Sequence, residues 1–134
     1  MQAAILRVKL RHLDNEIAAR RTVAKAYIEH IDNPNIILPH WQNEESHVFH
    51  LFVIRTKTRG ELQQYLSEND IQTLIHYPVP PHKQQAYKEW NAQSYPITEA
   101  IHTEVLSLPM GPTLSNDEAT AVAASCNSFN ISSK

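Results

Sequence analysis

The chain has 134 residues, which is enough for one domain with a modest hydrophobic core. Its apolar fraction of 42% and charged fraction of 19% are typical of a globular protein, and a formal net charge of −2 gives no electrostatic basis for binding nucleic acid. No apolar run approaches the roughly 20 residues of a membrane span, so we expect no membrane partner. The single cysteine, Cys126, excludes an internal disulfide and fits a reducing cytoplasm. With only Gly60 and Gly111, the chain contains neither a P-loop nor a dinucleotide-binding fingerprint.

The first segment, residues 1–31, predicts one long helix. Apolar residues recur along it at spacings of three and four, at Leu6, Leu10, Leu13 and Ile17. Asp14-Asn15 predicts a break or kink, because both side chains compete for backbone hydrogen bonds. The sequence DNPN at 32–35 ends the helix, since Pro34 cannot continue it.

Residues 36–128 predict an α/β core. The segment HVFHLFVIR at 47–55 is typical of a central strand, because it is rich in β-branched and aromatic residues and apolar on both faces. Further strands are predicted at 71–75 and 105–110, after a short extended piece at 36–38. The sum is a small sheet of about three strands with helices packed on it.

Four helices are predicted after the first strand, at 58–69, 83–90, 96–105 and 115–126. Two of them begin with the pattern of a capping box, in which Thr58 pairs with Glu61 and Ser115 with Glu118. The tail at 129–134 is expected to fray.

The eight histidines raise the question of a metal site. His47 and His50 are three residues apart, and on a strand this spacing points them to opposite faces. His76 and His82 flank three prolines, and no cysteine or aspartate cluster completes a set of ligands. Cys126 follows AVAAS in a predicted helix, which is typical of a small buried hydrophobe. The sequence therefore predicts no metal site and no catalytic nucleophile.

The stretch IHYPVPPHKQQAY at 75–87 is the most unusual in the chain. Its prolines restrict φ, so the side chains between them are pre-positioned. His76 and Tyr77 follow a predicted strand, where α/β folds build binding crevices, and His82 and Lys83 begin a predicted helix whose N-terminus favours an anion. Two interpretations stay open: a rigid turn whose side chains bond local backbone, or a surface that binds a phosphate or diphosphate.

The runs QAAILRVKLRHLD (2–14), SHVFHLFVIR (46–55), IHYPVPPHKQQAY (75–87) and VLSLPM (105–110) strongly resemble the C-terminal part of DegT-type sugar-nucleotide aminotransferases. The resemblance is in order and covers nearly the whole chain. It implies fold type I of the pyridoxal-phosphate enzymes, with a two-layer α+β small domain, a mostly antiparallel sheet and a long preceding helix. It also implies pyridoxal 5′-phosphate as cofactor of the intact enzyme, and a dTDP- or UDP-linked keto-sugar as substrate in deoxyaminosugar biosynthesis. Such enzymes usually take the amino group from glutamate and act as homodimers.

The same resemblance implies roles for particular residues. His76, Tyr77 and His82 match a segment that resembles the family's substrate-facing loop, near the sugar and its diphosphate. His47 matches a position that reaches the active-site cleft, whereas His50 is expected on the other face of the strand, within the core. No residue is assigned to catalysis, to the cofactor or to a metal.

The family's large N-terminal domain, with its Schiff-base lysine, has no counterpart in this sequence. None of the lysines matches the family's cofactor-lysine motif, so we expect a single domain, 1–134, that is a fragment of such an enzyme. It should hold no pyridoxal phosphate covalently and catalyse no transamination alone, and whether it is an enzyme stays open. Apolar surface left uncovered predicts self-association as a homo-oligomer. The alternatives are a non-catalytic nucleotide-sugar-binding or interaction module and a degenerate gene fragment.

Overall fold

A computed structural model describes residues 2–130. These residues form, in chain order, α1 (Gln2–Leu10), α2 (Leu13–His30), β1 (Phe52–Arg55), α3 (Arg59–Glu68), α4 (Pro96–Glu104), β2 (Val105–Leu108) and α5 (Asn116–Ser128). Short 3-10 segments lie at Glu44–Ser46, Pro81–Lys83 and Gln85–Trp90. The predicted class, helices packed with a small antiparallel sheet, is confirmed. No helix within residues 2–130 has both the length and the apolar character needed to cross a membrane.

The long N-terminal helix is interrupted earlier than the sequence predicts. A turn at Arg11 and His12 separates α1 from α2, so the break precedes the Asp14-Asn15 pair. Asp14 lies instead in the first turn of α2, where a negative charge is favoured by the helix dipole. No residue of α1 is buried, whereas α2 packs the side chain of Tyr27 fully inside the core.

The sheet is built around one antiparallel pair, in which Phe52 of β1 lies opposite Leu108 of β2. Each strand also pairs through one isolated bridge with a residue outside the sheet: Arg55 of β1 with Ile37, and Ser107 of β2 with Leu74. All of β2 is buried, and β1 buries alternate residues, as expected of a strand with one face on the core.

The strands are fewer and shorter than the sequence predicts. Residues 47–51 do not continue β1, because Phe49 has a φ of 46°, in the left-handed region that interrupts extended backbone. The strand predicted at 71–75 is reduced to the single bridge at Leu74. The sheet therefore has two strands rather than about three, and the predicted extended piece at 36–38 contributes one bridge.

The predicted helix at 83–90 is also different, since residues 81–90 form two 3-10 segments and no α-helix. Tyr87, inside the second segment, has non-helical backbone angles. The other predicted helices are present, and Pro96 occupies the first turn of α4 as expected.

The two predicted capping boxes have opposite outcomes. At α5 the Ser115 hydroxyl accepts from the Glu118 N–H at 3.2 Å, and the Glu118 carboxylate accepts from the Ser115 N–H at 2.8 Å. At α3 the Thr58 side chain makes no capping bond, and its own N–H donates to the Thr56 hydroxyl at 3.3 Å. The Thr58 box is therefore wrong, because Thr56 provides a competing local partner that the pattern does not show.

The C-terminal part of the chain closes the core. Cys126 is fully buried in α5, as predicted, and burial raises the pKa of its thiol to about 12. Phe129 is also buried, and its carbonyl accepts from the Asn33 side chain at 2.9 Å. The core thus extends one residue into the segment predicted to fray, and 131–134 lie outside the described residues.

We expect Leu106→Ala to destabilise the domain by about 2–5 kcal/mol, because a fully buried side chain is replaced by a cavity. Urea unfolding followed by circular dichroism measures the change. Ile97→Ala, a comparable truncation at a side chain that is 79% exposed on α4, is the control and should change the free energy of unfolding by less than about 0.5 kcal/mol. Equal losses in the two variants would contradict this assignment of the core.

Candidate functional site

The residues that the sequence selects in 76–82 lie between β2 and α4. Three prolines, Pro78, Pro80 and Pro81, stiffen the segment, and both of its ends are hydrogen-bonded to side chains of other elements. The intervening residues are mostly exposed. The segment is therefore a short surface loop with fixed ends.

His76 marks the first end of this loop. Its Nδ1 lies 2.9 Å from the hydroxyl of Ser107, a buried residue of β2, so the ring is tied to the sheet. His76 also lines a cavity of about 130 Å³ with Leu74 and Met110. Binding pockets for small molecules typically hold about 300–1,000 Å³, so this cavity is too small for a nucleotide-linked sugar.

Tyr77 combines a fixed backbone with an exposed side chain, whose ring packs edge-on against His76 with centroids 5.7 Å apart. Its carbonyl oxygen accepts from Nδ1 of His102 on α4 at 2.6 Å, whereas its side chain is 67% exposed. Exposure of the apolar face of a phenol ring to water is unfavourable, so a sugar or base that covers the ring is stabilised there. Of the residues selected in this loop, Tyr77 is the one whose side chain is presented to solvent.

His82 marks the other end and has the opposite environment. It is 5% exposed, and its Nε2 lies 2.8 Å from Oε1 of Glu99 on α4. The ring also packs edge-on against Tyr95, with centroids 4.9 Å apart. A carboxylate can only accept, so Nε2 carries the proton and the ring nitrogen is already used inside the protein.

The Glu99 carboxylate collects several donors from the loop region. Oε1 accepts from His82 and from the Tyr95 N–H at 3.0 Å, and the Lys83 ammonium lies 3.8 Å away. Lys83 itself donates to the carbonyls of Asn91 and Gln93. The anion predicted near His82 and Lys83 is thus supplied by the chain's own Glu99.

This arrangement stabilises the ionised form of Glu99. The hydrogen bond from His82 lowers the pKa of the carboxyl most, followed by the bond from the Tyr95 N–H, with a smaller contribution from the charge of Lys83. Because the pKa is lower in the folded state than in the unfolded state, the stabilisation is complete above the ordinary glutamate pKa. It is lost as the pH falls through the folded-state value.

His47 and His50 lie in a different segment, ahead of β1. The His47 ring accepts from the Phe49 N–H at 2.8 Å through Nδ1, and its carbonyl accepts from the Arg21 side chain of α2 at 2.9 Å. These bonds fix the turn before β1. His50 is exposed, so its predicted place in the core is wrong, because residues 47–51 do not join strand β1.

Residues 2–130 contain no group of three or more histidine, cysteine, aspartate or glutamate side chains suited to one metal ion. The sequence reasoning missed Glu99 and His102, which hold the loop. The helical pattern places them three residues apart and so on one face of α4, but their partners are distant along the chain and carry no local signal.

The family model DegT/DnrJ/EryC1/StrS aminotransferase matches residues 1–127. A dTDP-3-amino-3,6-dideoxy-alpha-D-galactopyranose transaminase from Aneurinibacillus thermoaerophilus is 52% identical over 129 residues, which are 96% of this chain and 36% of that protein. A UDP-N-acetyl-3-dehydro-alpha-D-glucosamine 3-aminotransferase from Acidithiobacillus ferrooxidans is 34% identical, over 92% of this chain and 33% of that protein.

Solved structures agree with these matches. The structure of S. venezuelae DesV in complex with a ketimine intermediate superposes with a TM-score of 0.87 at 38% identity, covering 95% of this chain and 35% of that one. An aminotransferase from Brucella abortus gives a TM-score of 0.84 at 29% identity, over 93% of this chain and 34% of its own. The chain thus spans about a third of the length of its relatives, as a C-terminal portion would.

We expect His82→Ala to raise the pKa of the Glu99 carboxyl toward its ordinary value, because the bond that lowers it most is removed. Side-chain carbon NMR across an acid titration measures the midpoint. Glu118 is the internal control, since bonds from Ser115 lower the pKa of its carboxyl and His82 does not contribute. A Glu99 midpoint that stays unchanged in the variant would contradict the assigned contact.

Proposed function

Because the chain belongs to the DegT/DnrJ/EryC1/StrS aminotransferase family, we propose that it supplies the substrate-facing loop of an enzyme that aminates a nucleotide-linked keto-sugar. The observation that carries this proposal is Tyr77, an exposed aromatic side chain on a loop whose backbone is held at both ends. Rigid presentation lowers the entropy lost when a ligand is bound. The amination itself belongs to the intact enzyme, of which this chain represents about a third.

Each selected residue has a distinct part in this proposal. Tyr77 covers one face of the nucleotide-linked sugar, because its ring is exposed and its backbone is fixed. His76 orients Tyr77 from the sheet side and can offer its remaining ring nitrogen to a polar group of the sugar. His82 supports the loop from inside, since its Nε2 is used by Glu99. His47 is assigned to the edge of the same cleft by family resemblance alone.

Relatives that act on dTDP- and UDP-linked sugars support a nucleotide-linked sugar as the proposed substrate class. We assign this chain to the same class, in deoxyaminosugar biosynthesis. The exposed tyrosine fits both nucleotides, because stacking on an aromatic ring is tolerant of base identity. We place the enzyme in the cytoplasm, where a buried, reduced cysteine such as Cys126 is ordinary.

Pyridoxal phosphate is the cofactor of this family in general, and when bound it supplies an electron sink for the transfer of the amino group. A covalent site needs a lysine enclosed in a cleft beside an acidic or basic partner for the ring nitrogen. Of the lysines within residues 2–130, none is buried, and Lys83 is already bonded to the carbonyls of Asn91 and Gln93. The described residues therefore do not fit a covalent cofactor site.

Titration with dTDP-glucose tests the proposed loop. We expect weak, saturable chemical-shift changes at Tyr77 and His76, with smaller changes at the buried His82. Tyr77→Ala should lower the affinity on the order of tenfold, because stacking on the ring is lost. Tyr87→Ala, the same change at an exposed tyrosine of another segment, is the matched control and should leave the affinity unchanged.

Three results are possible, and two of them would contradict the proposal. Saturable binding without transamination fits either a nucleotide-sugar-binding module or a separated part of the enzyme. The absence of any saturable shift in the wild-type chain would contradict a substrate-binding loop that works by itself. Equal losses in Tyr77→Ala and Tyr87→Ala would contradict the role of Tyr77.

We also propose that the chain associates with a second copy through α1. Large apolar side chains are exposed along this helix and the start of α2, namely Ile5, Leu6, Val8, Leu10 and Leu13. We expect the mass measured by analytical ultracentrifugation to rise with concentration, and Leu6→Glu to suppress the rise. Ile97→Glu, at a side chain 79% exposed on α4, is the control and should not suppress it. A monomer at all concentrations would contradict the proposal.

A further inference from the structure

Helix α4 touches both ends of the 77–82 loop through two of its side chains. Glu99 and His102 are three residues apart, so both project from one face of the helix. His102 donates from Nδ1 to the Tyr77 carbonyl at 2.6 Å. Glu99 accepts from the His82 ring at 2.8 Å. The two contacts lie at opposite ends of the proline-rich segment.

The loop has little regular structure to hold it otherwise. Between its ends, three prolines lack N–H donors and cannot form the usual backbone ladder. The following 3-10 segments are short, and their bonds are local, as in the donation from the Lys83 N–H to the Pro80 carbonyl at 2.9 Å. Such segments open readily by local unfolding, so side-chain contacts decide how ordered they are.

The helix that carries the two side chains is itself anchored to the sheet and to α3. The His102 carbonyl accepts from the guanidinium of Arg59 at 2.5 Å. Five residues beyond Glu99, Glu104 forms an ion pair with Arg55 of β1 at 2.7 Å. Glu99 and His102 thus hold the loop in a fixed position relative to α4.

We propose that Glu99 and His102 are positioning residues that hold both ends of the 77–82 loop and thereby present the Tyr77 side chain to the nucleotide-linked sugar. We call this pair the α4 clamp, and its role toward the ligand rests on the function proposed above. Glu99 acts through its Oε1, which accepts from the His82 ring and from the Tyr95 N–H. The clamp acts through the backbone of Tyr77 and the ring of His82.

Amide hydrogen exchange of the full chain tests the clamp. Glu99→Ala or His102→Ala should raise the exchange rates of amides between residues 79 and 90 on the order of tenfold to a hundredfold, since hydrogen bonds to the loop ends are lost. The amides of β1 and β2 are the internal reference and should keep their rates. Unchanged rates at 79–90, or an equal rise in the two strands, would overturn the proposal.

Conservative variants separate positioning from simple packing. His102→Asn places an N–H donor near the position of Nδ1 and should preserve the slow exchange, whereas His102→Gln moves the donor one carbon further and should not. Glu99→Gln keeps an oxygen acceptor for His82 and the Tyr95 N–H but lacks the charge near Lys83, so we expect an intermediate effect. Equal exchange in His102→Asn and His102→Gln would overturn the assigned Nδ1 contact.

The ligand readout distinguishes the clamp from the function on which it rests. Titration of Glu99→Ala with dTDP-glucose should give a dissociation constant on the order of tenfold higher, from the shifts of Tyr77, if the clamp orders the binding conformation. Faster exchange with an unchanged dissociation constant would overturn the role toward the ligand. A wild-type chain that gives no response to dTDP-glucose, yet shows the exchange pattern above, would refute the proposed function while the clamp itself stands.

Discussion

Strand β2 determines where the rest of the described chain lies. Its residues are all buried, and both of its edges are paired, by β1 on one side and by the bridge from Leu74 on the other. A strand in this position must satisfy its polar groups within the protein, because water does not reach them. The hydroxyl of Ser107 has such a partner in the ring of His76. The first residue of the loop is therefore placed by the core of the domain.

The two ends of the loop show how burial decides between a supporting and a ligand-facing role. Tyr77 and His82 belong to one short motif, yet one side chain is exposed and the other enclosed. An enclosed imidazole must find a partner or lose hydrogen bonds, and Glu99 provides one. The exposed phenol of Tyr77 can bond to water, so it needs no partner within the protein. Stiffness from the prolines and two fixed ends hold the Tyr77 ring, which packs edge-on against His76, in an exposed position from which it can contact a ligand.

Local signals in the sequence predicted the features that depend on local chemistry. The Ser115 box, the position of Pro96 and the buried Cys126 follow from residues within one turn of each other. The strand that ends before Pro109 is also predicted by local signals, because it is short and apolar and is followed by proline and glycine. Composition and spacing alone leave open whether the loop is a rigid turn or a ligand-binding surface, and the family resemblance favours the ligand-binding surface.

The features that the sequence did not predict depend on partners distant along the chain. The bond between the His82 ring and Glu99 is not predicted, because Glu99 lies 17 residues further along the chain. The apolar composition of residues 47–51 predicts a strand, but the left-handed backbone of Phe49 interrupts it. The Arg21 side chain of α2 also donates to the carbonyl of His47 in this segment. Tertiary contacts override strand propensity in such places.

The loop and α1 differ in what they require beyond this chain. The side-chain hydrogen bonds at the two ends of the loop join it to β2 and α4, so its geometry depends on the described residues. No apolar side chain of α1 is buried against those residues. Full burial of each would contribute about 1.5–3 kcal/mol, against an association cost of about 4–15 kcal/mol. Because several side chains must be buried merely to offset that cost, pairing through α1 alone is weak, and a stable assembly needs further surface beside that helix.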